Sequence, residues 1–157
     1  MKIRSASEKD FDRMIALLQQ VLEIHAAIRP DIFVSGTTKY TKEDLAEILA
    51  DPNRPIYVAA DEDDNLIGYA FCVLKETPAD ANNMVHYKQL YIDDLCVDES
   101  ARGQHVGEAL FEHVKAQAAA MGCYEVTLCV WDGNDGAERF YEKMGMKTKE
   151  RVMEIIL

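Results

Sequence analysis

Hydrophobic and polar positions along this chain change their period several times, and each change predicts an element. Residues 1–6 read as a short strand. Ser7 and Asp10 then form a capping box, and Phe11, Met14, Ile15, Leu18, Leu22 and His25 fall on one helical face. Arg29-Pro30 ends that helix, and "SGTTKY" reads as a loop. Thr41 and Asp44 cap a second helix that turns Leu45, Ile48 and Leu49 inward. "PIYVAA" (55–60) and "LIGYAFCVL" (66–74), joined by the polar "DEDDN", predict a β-hairpin. After the loop "ETPADANN", "YKQLYIDDLCV" (87–97) predicts a long strand.

An amphipathic helix follows, marked by Val106, Ala109, Leu110, Val114, Ala118 and Met121. "CYEVTLCV" (123–130) predicts another strand. Ala137, Phe140, Tyr141 and Met144 share one face of a short helix stopped by Gly145, and "RVMEIIL" is expected to close the chain as a strand. The order is β-α-α-β-β-β-α-β-α-β, without repeat, linker or low-complexity tract. It predicts one α/β domain over residues 1–157, with a mixed central sheet flanked by helices.

Composition narrows the function classes. The chain has 157 residues and a formal net charge of −11, from 28 Asp and Glu against 17 Lys and Arg. That balance argues against nucleic acid as a general partner, because phosphate binding needs a basic face. It suits a cationic small substrate, though an acidic surface also serves solubility alone. Cys72, Cys96, Cys123 and Cys129 form no C-x-x-C pair and lie in apolar runs. They are expected to be buried thiols of a reducing compartment. Without a signal-like start or a membrane-length apolar run, the expected location is cytoplasmic and no membrane partner is implied. His25, His86, His105 and His113 are scattered, so no metal set is expected.

The densest chemistry lies in "DESARGQHVGEAL" (98–110). A strand, a glycine-containing turn and a helix start together make an anion site, because the first helical turn has free N–H groups and the positive end of the dipole. Arg102 adds a charge suited to phosphate. No Gly-Lys-Ser/Thr follows, and the pattern is not G-x-G-x-x-G. Alone, the two glycines also fit a turn shaped only by backbone geometry.

The stretch resembles motif A of the GCN5-related N-acetyltransferase (GNAT) superfamily, (Arg or Gln)-x-x-Gly-x-(Gly or Ala), through Arg102, Val106, Gly107 and the "RG" at 102–103. "YIDDLCV" is similar to the strand that precedes that motif. "WDGNDGAERFYEKMGM" (131–146) resembles motif B, through Asn134, Ala137, Phe140, Tyr141 and Gly145. The resemblance spans nearly the whole chain and implies a GNAT-like fold. It also implies acetyl-CoA as cosubstrate, its pyrophosphate on Arg102, Gly103, Gln104, His105, Val106 and Gly107. Leu95, Cys96, Val97 and Asn134 are the implied pantetheine contacts. His105 departs from the pattern, standing where the family usually has its first motif glycine. If the position needs a positive φ, histidine carries a steric cost. It is either a tolerated variant or a partial charge near the phosphates.

Acetyl transfer to an amine needs a neutral nucleophile, donors for the developing oxyanion and a proton for the leaving thiolate. Asp93 aligns with the family's carboxylate base, and Asp94 is assigned to the acceptor side. Strict alternation places these two on opposite faces of the strand. Structural ion pairs are the competing explanation for both. Tyr141 aligns with the family's general acid, although its helical spacing alone also fits a core residue. His25 and Arg29 lie where the family builds its acceptor pocket.

The expectation is an acetyl-CoA-dependent N-acetyltransferase acting on the primary amine of a small amino compound by direct attack. A non-catalytic acyl-CoA-binding or sensing domain, and a protein N-terminal or lysine acetyltransferase, are the alternatives. A homodimer, with the final strand pairing across its interface, is left open.

Overall fold

The computed structural model describes residues 1–157. Its strands are β1 (Lys2–Ser5), β2 (Ile56–Ala60), β3 (Leu66–Glu76), β4 (Lys88–Val97) and β5 (Glu125–Leu128). They form one sheet in chain order; β1 to β4 run antiparallel and β5 joins β4 in parallel. The helices are α1 (Phe11–Ile28), α2 (Lys42–Ala50), α3 (Val106–Ala120) and α4 (Asp135–Lys143).

Two apolar layers hold the helices to the sheet. Phe11, Met14, Leu17 and Leu18 of α1, with Leu45 and Ile48 of α2, pack on Val58, Tyr69, Phe71 and Cys96. On the other face, Val106, Leu110, Phe111 and Val114 of α3 pack on Tyr57, Ala59, Ala70, Cys72 and Ile92. All five residues of β2 are buried because both of its faces are covered, which explains an apolar run without alternation. Both expected capping boxes form. The Asp10 carboxylate accepts from the Ser7 N–H at 2.9 Å, and the Thr41 hydroxyl accepts from the Asp44 N–H at 3.1 Å.

The structure corrects three sequence-based expectations. Residues 151–157 form no strand, because no strand of the same chain pairs with them. Of the cysteines, Cys72 and Cys96 are buried, but Cys123 is only half-buried and Cys129 is exposed. The reason is that β5 is the sheet's edge, so its apolar run keeps an open side. Lastly, Asp93 and Asp94 do not alternate. Phe71 of β3 faces Asp94 and Cys72 faces Ile92, so Asp93 is the extra residue of a β-bulge.

Candidate active site

The bulge turns both aspartates toward the α1 side of the sheet. Asp94 lies opposite Phe71, in the α1-facing layer, while Ile92 packs in the α3-facing layer. Asp93 meets the loop that joins α1 to α2. Its Oδ2 accepts from the Lys39 ammonium at 2.8 Å and from the Tyr40 hydroxyl at 2.8 Å. Tyr40 in turn stacks on Phe71 at 5.6 Å. Sequence reading missed Lys39 and Tyr40; a cation and a phenol just ahead of the Thr41 cap were their only signal.

The two carboxylates sit in opposed electrostatic settings. Burial raises the Asp93 carboxyl, but the Lys39 and Tyr40 hydrogen bonds outweigh it and hold the group below the usual carboxylate range. Asp94 is pushed up to about 7 by burial, which outweighs the opposing pull of Lys39; the neighbouring Asp93 adds a smaller push and the Tyr69 hydroxyl a smaller pull. The Tyr69 hydroxyl is buried beside Asp94; it makes no hydrogen bond of ordinary geometry, yet it approaches the Asp94 carboxyl closely enough to lower it slightly.

Beyond Ile92 the sheet opens. β5 pairs with β4 only from Gln89 to Ile92, so from Asp93 to Val97 strand β4 has β3 on one side and no strand on the other. Leu95, Cys96 and Val97 therefore lie on a split in the sheet, with β4 backbone groups free to bind an amide-bearing chain. Cys96 itself is buried in the α1-facing layer, its thiol pushed up to about 12 by burial, so this residue contributes backbone alone.

The split leads to the start of α3. Asp98 caps a short 3-10 turn by accepting from the Ser100 N–H at 2.9 Å, and it also pairs with Arg13. Gly103 then takes φ +76° and His105 takes φ +60°. As a result the backbone N–H groups of residues 103–108 donate to no backbone or side-chain acceptor within the chain. Successive free N–H groups at a helix start make an anion-binding concavity. The Arg102 side chain is exposed beside it, its Nε 3.4 Å from the Val97 carbonyl. The His105 imidazole turns away to Glu108 at 2.7 Å, and Glu108 is held by Lys143 at 2.5 Å. Ion pairing by Lys143 and then His105 lowers the Glu108 carboxyl, so an acid at the helix start is screened rather than bare.

Helix α4 closes the other wall. Asn134 caps it, its Oδ1 accepting from the Ala137 N–H at 3.3 Å. Tyr141 is half-buried, 5.0 Å from the Phe140 ring and 6.0 Å from Phe111, and its hydroxyl makes no hydrogen bond within the chain. Burial first, then the charges of Asp94, Cys96 and Cys72, push this phenol well above its ordinary range. Asp94 thus influences Tyr141 directly across the split. At the end of α1, His25 stacks on Phe33 at 5.2 Å, and Phe33 meets the Trp131 edge at 5.2 Å. Burial and Lys39 lower the His25 imidazole, which favours its neutral form. Arg29 is committed to Asp31 and Glu154, each at 2.7 Å, so its charge is spent within the chain.

Against known proteins, the Acetyltransferase (GNAT) family model matches residues 18–146. The chain belongs to the GNAT acetyltransferase family. It is an acyltransferase, and members of this family use acetyl-CoA as cosubstrate. The chain is 26% identical over 153 residues to a thialysine N-epsilon-acetyltransferase of Bos taurus, covering 91% of this chain and 82% of that protein. A peptidyl-lysine N-acetyltransferase of Salmonella typhimurium is 28% identical, covering 96% and 86%. Among solved structures, a mutant of the BH1408 protein from Bacillus halodurans superposes with a TM-score of 0.95 at 32% identity, over 100% of this chain and 99% of that one.

Within this GNAT fold Gly107 has a packing role that the motif alone does not show. A Cβ there would lie 3.3 and 3.4 Å from the Phe140 ring and 3.6 Å from Val97. The glycine lets α4 close on α3 and so fixes the wall that carries Tyr141. Gly107→Val is expected to cost about 1–3 kcal/mol of stability by overpacking. Calorimetry on the folded fraction should also show weakened acetyl-CoA binding.

His105 is different, because its left-handed backbone is the strained element and its side chain is exposed. His105→Gly relieves that strain and gives up only an exposed pair with Glu108. It is expected to raise stability by up to about 1 kcal/mol, with acetyl-CoA affinity equal or improved. Thermal melting and calorimetry check both expectations; a large loss of affinity would show that the imidazole contacts the ligand.

Proposed function

We propose that the chain transfers an acetyl group from acetyl-CoA directly to the primary amine of a small cationic amino compound, without a covalent enzyme intermediate. The observation that carries the reading is the Lys39 ammonium lodged on Asp93 beside Asp94. The site already binds a primary ammonium group, supplied by its own loop. The net charge of −11 supports attraction of a cation, and the relatives' names add N-acetyltransfer to amino compounds and lysines.

Acetyl-CoA supplies an activated thioester. The free N–H groups of residues 103–108, with Arg102 beside them, suit its pyrophosphate, and the free β4 edge at Leu95–Val97 suits its pantetheine amides. In this reading Val106 and Gln104 shape the turn, and the Asn134 side-chain amide remains free to donate while its oxygen caps α4.

The aspartates divide the work in the opposite sense from the motif alignment. A primary ammonium has a pKa of about 10.4 and an ordinary carboxyl about 3.9, so proton transfer to the latter is uphill by about 9 kcal/mol. Asp94, near 7, reduces this to about 5 kcal/mol, and the same burial eases loss of charge by the amine. Asp93, held low by Lys39 and Tyr40, is the poorer acceptor and the better permanent counter-charge. We therefore assign Asp94 as base and Asp93 as the carboxylate that draws in the ammonium. His25, Phe33 and Trp131 line the neighbouring apolar wall, and Arg29 braces it through Asp31 and Glu154.

Tyr141 keeps its proton through the working pH range and offers it to the departing sulfur. The charge on Asp94 helps to hold the Tyr141 proton in place. When Asp94 takes up the amine's proton that charge disappears, and Tyr141 becomes a stronger acid at the step that needs one. The loop carrying Lys39 and Tyr40 covers the aspartates, which favours a compact amine over a folded protein surface. The test compares kcat/KM for diamines, free lysine analogues and lysine peptides, reading released thiol. The small amines are expected to lead; a preference for peptides would move the acceptor class to protein lysines.

A further inference from the structure

On strand β3 the α1-facing core ends at Phe71. Beyond it Cys72 and Leu74 of β3, with Leu90 and Ile92 of β4, belong to the α3-facing layer. Alternation therefore turns Val73, Lys75 and Tyr91 to the other face, the one that carries Asp93. Val73 lies opposite Tyr91, and both are half-buried outside the α1-facing core. Tyr91 stands on β4 about 7 Å from Asp93 along the strand.

Arg54 borders the same strip. The Cys72 N–H donates to the Pro55 carbonyl at 2.9 Å and the Leu74 N–H to the Asn53 carbonyl at 2.7 Å. These two bonds continue the β2–β3 register and set Arg54 opposite Val73, on Val73's face. After burial and the Lys39 and Tyr40 hydrogen bonds, the Arg54 charge also reaches Asp93.

Lys75 and Arg54 form no ion pair within the chain, although the chain is acidic. The neighbouring acids are taken: Glu76 pairs with Lys88 at 3.0 Å, and Asp93 with Lys39 at 2.8 Å. The Lys75 ammonium instead lies 3.6 Å over the centre of the Tyr91 ring. The ring holds this charge against the sheet without neutralising it. The strip thus has an acidic end at Asp93 and a basic end at Lys75 and Arg54. A molecule spanning it carries an ammonium at one end and an anion at the other. A second ammonium at the basic end meets like charge, so these two cations select against a plain diamine as well as for an anion. A carboxylate fits better than a phosphate. Its single charge leaves an acceptor with two amines cationic overall, as the acidic chain favours.

We propose that Lys75 and Arg54 hold the carboxylate of an amino acid whose side-chain amine lies on Asp93, so that the acceptor is a diamino acid. This rests on the acceptor role given to Asp93 above. The side-chain nitrogen forms the new amide bond as the thioester C–S bond breaks, its proton passing to Asp94 and the Tyr141 proton to the sulfur.

The test gives the full chain acetyl-CoA with free lysine, lysine methyl ester or cadaverine, which share one spacing between amine and distal group. Released thiol gives kcat and KM. The wild type is expected to favour lysine over both others at least about tenfold in kcat/KM, chiefly through KM, with the acetyl group on the side-chain nitrogen. Lys75→Gln and Arg54→Gln are each expected to shrink that preference. Lys75→Glu is expected to invert it towards cadaverine, with far-UV circular dichroism as in the wild type; loss of packing alone does not invert a charge preference. A wild type that uses cadaverine as well as lysine overturns the proposal and leaves the amine-acceptor reading standing. So does a lysine preference that Lys75→Gln and Lys75→Glu both leave in place. No turnover of any of the three overturns the proposal together with the acceptor reading beneath it.

Discussion

Asp94→Asn is expected to lower turnover roughly 10²-fold or more and, at the same time, to raise the melting temperature above neutral pH. Both effects come from one cause. The carboxyl is withdrawn from water beside another carboxylate, which lifts it to about 7. For a carboxyl raised in the folded state, the stabilising form is the protonated one. Its contribution is complete below the ordinary carboxylate range and is lost as pH rises through about 7. Asparagine carries no such loss, so the stability gain of the variant over wild type grows from the ordinary carboxylate range up to about pH 7 and levels off above it.

The rate follows the other form. Only ionised Asp94 accepts a proton, so wild-type kcat/KM is expected to climb with pH and level off above about 7. A variant with wild-type turnover, or one less stable at pH 8, removes Asp94 from the base role. Asp93→Asn serves as the contrast. Its carboxyl is held low by Lys39 and Tyr40, so it contributes stability above the ordinary carboxylate range that disappears as pH falls. Losing it should raise KM for a cationic amine more than it lowers kcat.

The second large effect is expected at Tyr141. Its ring packs between Phe140 and Phe111, whereas its hydroxyl has no partner within the chain. Tyr141→Phe keeps the packing and gives up no internal hydrogen bond, so the melting temperature should hold or rise slightly. A residue serving only the core would show nothing further. A proton donor to the leaving sulfur would lose roughly 10²-fold in kcat, with acetyl-CoA affinity retained. The alkaline side of the profile gives a second readout. Burial and the Asp94 charge keep the phenol protonated well past its ordinary range, so no activity loss from Tyr141 is expected near pH 9. Wild-type kcat in the variant, with chemistry shown to limit the rate, would leave Tyr141 as a packing residue.

The sequence revealed elements more fully than it revealed geometry. Helix periodicity placed α1, α2 and α3, each of which buries one stripe, and capping residues marked the turn before α1 and the starts of α2 and α4. The anion turn was legible because its glycines and arginine are local. The bulge at Asp93 was not, because alternation is a local rule, whereas a bulge depends on the register with β3. Asp93 and Asp94 therefore looked separable by face, whereas the structure turns both toward the α1 side of the sheet, with Asp93 on the α1–α2 loop. Lys39 was invisible as a partner because it lies 54 positions from Asp93. The tail had the composition of a strand, but it makes no backbone hydrogen bond, even though β5 keeps a free edge. Cys129 looked buried for a related reason: composition does not show which strand will form the edge of a sheet.

The most direct test of direct acetyl transfer is one reaction holding the full chain, acetyl-CoA and the best amine of the panel, with free thiol and N-acetyl product measured together. The account predicts equal amounts of the two, no thiol release when the amine is omitted, and initial-rate lines that intersect as both reactants are varied. Thiol released without amine, or parallel lines from an acetylated enzyme, would contradict direct attack. Tight acetyl-CoA binding with no thiol released for any amine would contradict catalysis by this site.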